Sequence, residues 1–202
     1  RVEADHLVEW CGADPARIEL VPPGVDHAFF SPGNRAGARF ALGLGPEPVL
    51  LFVGRIQPLK GLDVAVDALA LMERTDATLV VVGGPSGADG HAELARIEKA
   101  VAEHGLAGRV RFVPPQPHHL LSTYYRAADL SIVPSRSESF GLVAAESLAC
   151  GTPVVATAVG GLTTLVTDGT TGRLLPTRDP ERWARAVDAL LDDDTGRAAM
   201  SR

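Results

Sequence analysis

Cysteine is nearly absent, with only Cys11 and Cys150 in 202 residues. So far apart, the two make neither a metal-ligand spacing nor a disulfide framework. A reducing, cytoplasmic setting is the plain expectation. Positive charge is scarce as well: 19 Lys and Arg stand against 25 Asp and Glu, giving a net charge of −6 with no basic block. That balance argues against a nucleic-acid partner. No apolar run approaches the roughly 18 residues a membrane span needs, and no signal-peptide pattern is visible.

What is present is the composition of a folded α/β chain. Hydrophobic residues make up 46%, enough for a sizeable core, and 21 Gly with 15 Pro imply many turns. The length suits one domain, or one domain carrying a piece of its neighbour. The opening "RVEADHLVEWCGADPARIELVPPGVD" begins without Met and reads as the end of a helix followed by a linker. The expected division is therefore a remnant of a preceding domain over 1–17, a main domain over 18–192 and a tail over 193–202.

From Pro48 onward, apolar runs of β type alternate with helical patterns. The strands read "VLLFV" (49–53), "TLVVV" (78–82), "VRFV" (110–113), "LSIV" (130–133), "PVVAT" (153–157) and "GRLL" (172–175). Several are almost continuously apolar, as strands covered on both faces must be. Between them, Leu94, Ile97 and Val101 share one helical face, as do Trp183, Val187, Leu190 and Leu191. This alternation predicts an α/β fold with a doubly wound, Rossmann-like parallel sheet and right-handed crossovers. Ligands of such folds bind at the carboxyl ends of strands and at helix N-termini, so motifs are sought there.

The loop "FVGRIQPLKG" (52–61) leaves the first strand at Gly54, with Arg55 and Lys60 bracketing a turn. One planar guanidinium and one mobile ammonium at a strand end suit a diphosphate, although solvated loop charges are the bland alternative. "VVGGPSG" (81–87) is neither a dinucleotide fingerprint nor a P-loop. Its glycines fit close ligand approach or simple turn chemistry equally well.

"SRSESFGLVAAESLACG" (135–151) sets Glu138 just before a helix expected to begin near Phe140 and run to Cys150, with Gly151 beyond its end. The free N–H groups around Phe140, Gly141 and Leu142 then form an anion site, with Gly141 permitting close approach. Glu146 lies ~9 Å farther along the helix, at ~1.5 Å per residue. Two carboxylates could flank a bound diphosphate and hold two polyols, since each accepts hydrogen bonds from neighbouring hydroxyls. They could also be the acid and base of a glycoside hydrolase, which needs the two facing one bond across roughly 5–9.5 Å. Helix-surface charge is the third reading. His118 and His119 read as surface or capping residues, Tyr124, Tyr125 and Trp183 as packing, and Cys150 as a small buried hydrophobe.

Taken together, "GRIQPLKG", "ADLSIVPSRSESFGLVAAESLACGTPVVATAVGG" and "DGTTGRLL" resemble the C-terminal, donor-binding half of a retaining GT-B glycosyltransferase. The match is to glycosyl transferase family four, the group 1 type, leaning toward its mycothiol and sucrose-phosphate branch. The resemblance spans about residues 18–192. It implies that Arg55 and Lys60 bind the diphosphate and that Glu138 holds the donor sugar. It also implies that Glu146 holds the ribose, that Gly54, Phe140, Gly141 and Leu142 line the donor site, and that Gln116 meets the base through its main chain.

The same resemblance implies transfer of a hexose or N-acetylhexosamine from a nucleoside-diphosphate sugar, with UDP the expected nucleotide, and with retention at the anomeric carbon. Negative charge building on the departing diphosphate would meet Arg55, Lys60 and the helix N-terminus. The one Asp-x-Asp spacing, within "DDD" at 192–194, reads as a solvated helix end, so no obligatory metal or other cofactor is expected. The acceptor would be held mainly by an N-terminal domain absent from this sequence, and the chain alone is expected to be inactive. A non-catalytic nucleotide-binding module is the alternative from another functional class.

Overall fold

The computed structural model describes residues 2–19, 21 and 23–201. Six strands form its single sheet: β1 (Val49–Val53), β2 (Thr78–Val82), β3 (Val110–Val113), β4 (Leu130–Val133), β5 (Val154–Thr157) and β6 (Gly172–Leu175). They lie in the order β3-β2-β1-β4-β5-β6, and every neighbouring pair is parallel. The expected fold class is thus the observed one. Only β5 starts a residue later than the sequence suggests, at Val154, because Pro153 has no N–H to give a ladder and offers only its carbonyl, to Ser131.

Side chains of β1, β2, β4 and β5 alternate between two covered faces, which explains their near-continuous apolar character, whereas the edge strands β3 and β6 leave Arg111, Phe112 and Arg173 exposed. On one face Leu50, Phe52, Leu79, Val81 and Ile132 pack against α3 (Leu62–Leu71), α4 (Gly90–Glu103) and α8 (Pro180–Asp192). Trp183 of α8 is fully buried there, and its indole N–H is satisfied by the Thr177 carbonyl at 2.9 Å. On the other face Val49, Leu51, Val80 and Val82 meet Phe30, Tyr125 and Cys150. These come from the segment before α2 (Arg35–Leu42), from α5 (Leu121–Ala127) and from the end of α6 (Leu142–Ala149). A third apolar group under α6 and α7 (Leu162–Leu165) joins Val133, Ala144, Val154, Ala156 and Leu162.

Three helices lie outside the alternating pattern. Helix α1 (Val2–Cys11) precedes the sheet, and α9 (Asp194–Met200) follows it, within the segment read as a tail. Helix α2 was not legible as a helix. Its Ala38 is buried while Phe40 is 89% exposed. Charge holds α2 in place instead, for Arg35 and Arg39 both pair with the buried Asp129, which also accepts the Val49 N–H at 2.7 Å.

The chain leaves β1 toward β2 on one side, and leaves β4 toward β5 on the other. Sheets of this kind bind ligands beyond the carboxyl ends of such adjacent strands, where the chain connections part to opposite sides. The loops after β1 and β4 therefore carry the site.

Candidate functional site

The loop after β1 prolongs the sheet before it turns. The Gly54 N–H donates to the Val82 carbonyl, and the Ile56 N–H to that of Gly84. Gly83 is required by this close path, since a Cβ on it would collide with the Gly54 carbonyl. That settles one ambiguity in "VVGGPSG": backbone packing explains its first glycine. Arg55 is exposed and engages no acceptor among the described residues.

The loop ends at Gly61, whose φ of +74° lies in the left-handed region and whose missing Cβ would strike the Pro134 carbonyl at the end of β4. The loops after β1 and β4 are therefore pressed together. The Arg136 N–H donates to the Leu59 carbonyl at 2.9 Å. The half-buried Asp63 draws Arg178 at 3.1 Å, Arg96 at 3.6 Å and Arg136 at 3.7 Å, cross-bracing both loops. The outcome is an ion pair at 2.7 Å between Lys60 Nζ and Glu138 Oε2, with each side chain about one-fifth exposed. Two residues to which the resemblance gives separate tasks thus touch.

Glu138 is held from the other side by the turn after β5. Its carbonyl accepts the Gly161 N–H at 3.0 Å, and a Cβ on Gly160 would collide with that same carbonyl. Helix α6 starts at Leu142, two residues later than the sequence suggests, because Gly141 takes the left-handed conformation at φ +94° and serves as the N-cap. Of the three N–H groups expected in the first turn, only that of Leu142 belongs to the helix; Phe140 and Gly141 precede it. The first bond back into the chain is from the Ala145 N–H to the Gly141 carbonyl. The N–H groups of Leu142, Val143 and Ala144 thus carry the free donors and positive end of the helix dipole. Gly141 is also packed under Leu162 and Leu165, so helix–loop packing as well as backbone conformation requires glycine there. At the other end, Gly151 at φ +76° terminates the helix as the sequence implies.

Glu146, two turns inside α6, is 5% exposed and carries two donors. The Tyr125 hydroxyl donates to its Oε2 at 2.9 Å, and His118 Nε2 lies 2.6 Å from its Oε1. Burial, and then the adjacent Glu146 charge, hold the Tyr125 phenol well above its ordinary pKa, so it remains a donor. Phe30 packs against both partners, with ring centroids 4.9 Å from His118 and 6.1 Å from Tyr125. Sequence reasoning placed Tyr125 in the core and His118 at the surface, and both are so placed. What it missed is that each reaches the same carboxylate. Gln116 is half-buried, its side chain donates to the Pro114 carbonyl at 2.9 Å, and its backbone engages no partner among the described residues. Cys150 is buried, and burial pushes its thiol up to about 11, which leaves it inert.

The arrangement gathers, at the carboxyl end of the sheet, one exposed guanidinium, an ammonium paired to a carboxylate, a row of free N–H groups, and a second, buried carboxylate farther along α6. It can receive a polyanion between two groups of hydroxyls. A hollow of about 370 Å³ lies beside it, lined by Ser135, Arg136, Thr157, Val159, Pro176, Thr177 and Arg178. The larger hollow, about 530 Å³, lies at the opposite, amino-terminal ends of the strands around Asp129 and Arg197, away from this chemistry.

Comparison with known proteins identifies the family and the fold. Residues 35–202 match the family described as glycosyl transferases group 1. The D-inositol 3-phosphate glycosyltransferase of Acidothermus cellulolyticus is 53% identical over 197 residues, covering 94% of this chain and 44% of that protein. Its namesake from Nocardia farcinica is 54% identical over 196 residues, covering 95% and 43%. The chain thus spans less than half the length of these curated relatives. Among solved structures, sucrose-phosphate synthase from Thermosynechococcus elongatus superposes with a TM-score of 0.88 at 39% identity, over 99% of this chain and 49% of that one. Anabaena Alr3699/HepE in complex with UDP superposes with a TM-score of 0.86 at 25% identity, over 95% and 52%.

Proposed function

The chain belongs to the group 1 glycosyl transferases, and on that premise we propose that it is the donor-binding half of a retaining enzyme that uses a UDP-sugar. One observation carries this reading. Lys60 and Glu138 are joined at 2.7 Å beside the free N–H groups of α6, with the buried Glu146 farther along the same helix. A nucleoside-diphosphate sugar has the matching order of groups: ribose diol, diphosphate, sugar hydroxyls.

In this reading Glu146 accepts from the ribose diol, while Arg55, Lys60 and the N–H groups of Leu142, Val143 and Ala144 surround the diphosphate. Gly54, Phe140 and Gly141 line the same pocket, Gln116 meets the base through its backbone, and Glu138 accepts from hydroxyls of the transferred hexose or N-acetylhexosamine. When the bond from the anomeric carbon to the diphosphate breaks, charge develops on phosphate oxygens, and one of these takes the proton that the acceptor hydroxyl gives up as its oxygen bonds to that carbon. Fixed cations and helix N–H groups stabilise that charge without reorganisation, so no metal is required of this half. The acceptor then bonds on the face the diphosphate left. UDP is favoured over other nucleotides because a structural neighbour was solved with it. The acceptor site belongs to the remaining portion of the relatives' length, so this chain by itself transfers no sugar.

Calorimetric titration of the 202-residue chain with UDP, GDP and ADP tests this reading. Saturable binding of UDP in preference to the others is expected. Absence of binding by all three would sink it, as would detectable sugar transfer by the chain alone sink the claim about the acceptor half.

A further inference from the structure

The carboxylate of Glu146 is buried, yet both of its oxygens are already engaged. Tyr125, itself inaccessible to solvent, holds Oε2, and His118 holds Oε1 at 2.6 Å. The His118 side chain is 67% exposed while that of Glu146 is 6% exposed, so the imidazole stands at the solvent-facing edge of this carboxylate. Phe30 fixes it there, with ring centroids 4.9 Å apart.

An ionised carboxylate offers about four lone-pair sites, two on each oxygen. One donor on each oxygen leaves one acceptor site on each, the number a vicinal diol requires. A Glu side chain free at its end would lose rotamer freedom on binding, whereas one already tied at both oxygens has little left to lose. We propose that His118 is a positioning residue for the ribose site, tying Glu146 Oε1 so that the carboxylate meets the two ribose hydroxyls in one fixed orientation. This rests on the assignment of Glu146 as the ribose ligand. It adds a determinant outside the α6 motif, contributed by the short helical turn His118–Leu120 that precedes α5.

The test compares UDP with 2′,3′-dideoxyuridine 5′-diphosphate, which keeps base and diphosphate but lacks the diol. Both are titrated calorimetrically into the wild-type chain and into His118→Ala and His118→Gln. Because His118 is exposed, its replacement should leave the melting temperature near that of wild type. The expected result is that His118→Ala weakens UDP on the order of tenfold and leaves the dideoxy nucleotide unchanged. His118→Gln, which keeps a donor, recovers most of the loss.

Equal weakening of both nucleotides, or no weakening of either, would overturn the proposal while leaving the donor-site reading intact. Tighter UDP binding by His118→Ala would also overturn it, showing that the imidazole competes with the ribose for Oε1. If the wild-type chain bound neither nucleotide, or bound both equally, the assignment of Glu146 itself would fall, and the role of His118 with it.

Discussion

Lys60 Nζ stands 2.7 Å from Glu138 Oε2, joining the loop that leaves β1 to the loop that leaves β4. In the proposed donor site a diphosphate would share this ammonium with a carboxylate of its own sign. The two residues should therefore act on nucleotide affinity in opposite directions. Lys60→Ala is expected to weaken UDP by about 1.5–3 kcal/mol, the worth of a charge-assisted hydrogen bond. Glu138→Ala frees the ammonium and should leave UDP as tight or tighter. Titration of both variants checks this, and equal losses would contradict it.

Burial makes Glu146 a matter of stability as well as binding. Glu146→Ala strands the Tyr125 hydroxyl in the core, at a cost of about 1–3 kcal/mol. Adding Tyr125→Phe removes the orphaned donor, so the double variant should be less destabilised than the two single losses combined. Denaturant melts of the single and double variants measure the coupling. Strict additivity would show that the 2.9 Å hydrogen bond contributes nothing.

Gly160 excludes a side chain on two counts: its φ is +48°, which glycine adopts freely, and a Cβ would meet the Glu138 carbonyl. Gly160→Ala should cost on the order of 2–4 kcal/mol, the sum of a left-handed backbone term and overpacking. Gly169 has a similar φ of +75° but open space around it, so Gly169→Ala should show the smaller backbone term alone. Melting temperatures of the two variants separate the effects. Equal losses would mean that the contact at Glu138 carries no cost.

Alkaline pH should destabilise the chain through Tyr125 and Cys150. Burial raises the Cys150 thiol from an ordinary 9.0 to about 11, and burial with the Glu146 charge raises the Tyr125 phenol well above 10.0. Both groups lose protons more readily in the unfolded chain, so stability is full below about pH 9 and falls as pH rises toward the folded values. Cys150→Ala should flatten part of that fall. A melting temperature unchanged between pH 8 and 11 would contradict the assignment.

Much of this was legible in sequence because the sheet is buried on both faces, so its strands stand out as apolar runs bounded by Gly and Pro. The Glu-x7-Glu stretch and the Arg55–Lys60 loop were legible for a related reason, lying at the strand ends where such sheets bind ligands. What was hidden depends on tertiary contact. Helix α2 has only eight residues, buries only Ala38 fully, and is anchored by Arg35 and Arg39 on Asp129, some ninety residues away. His118 and Tyr125 reach Glu146 across 28 and 21 residues, and no local period announces that meeting. The start of α6 was misjudged because a left-handed Gly141 can begin a helix as well as lie within its first turn.

In the proposed donor site Glu138 and Glu146 serve opposite ends of one ligand. The most direct measurement is the affinity of UDP and of UDP-glucose for the wild-type chain, Glu138→Ala and Glu146→Ala. If the claim holds, wild type binds UDP-glucose more tightly than UDP, Glu146→Ala weakens both to the same degree, and Glu138→Ala erases only the difference between them. If instead both substitutions weaken UDP and UDP-glucose alike, or neither does, the two carboxylates do not divide the donor between them.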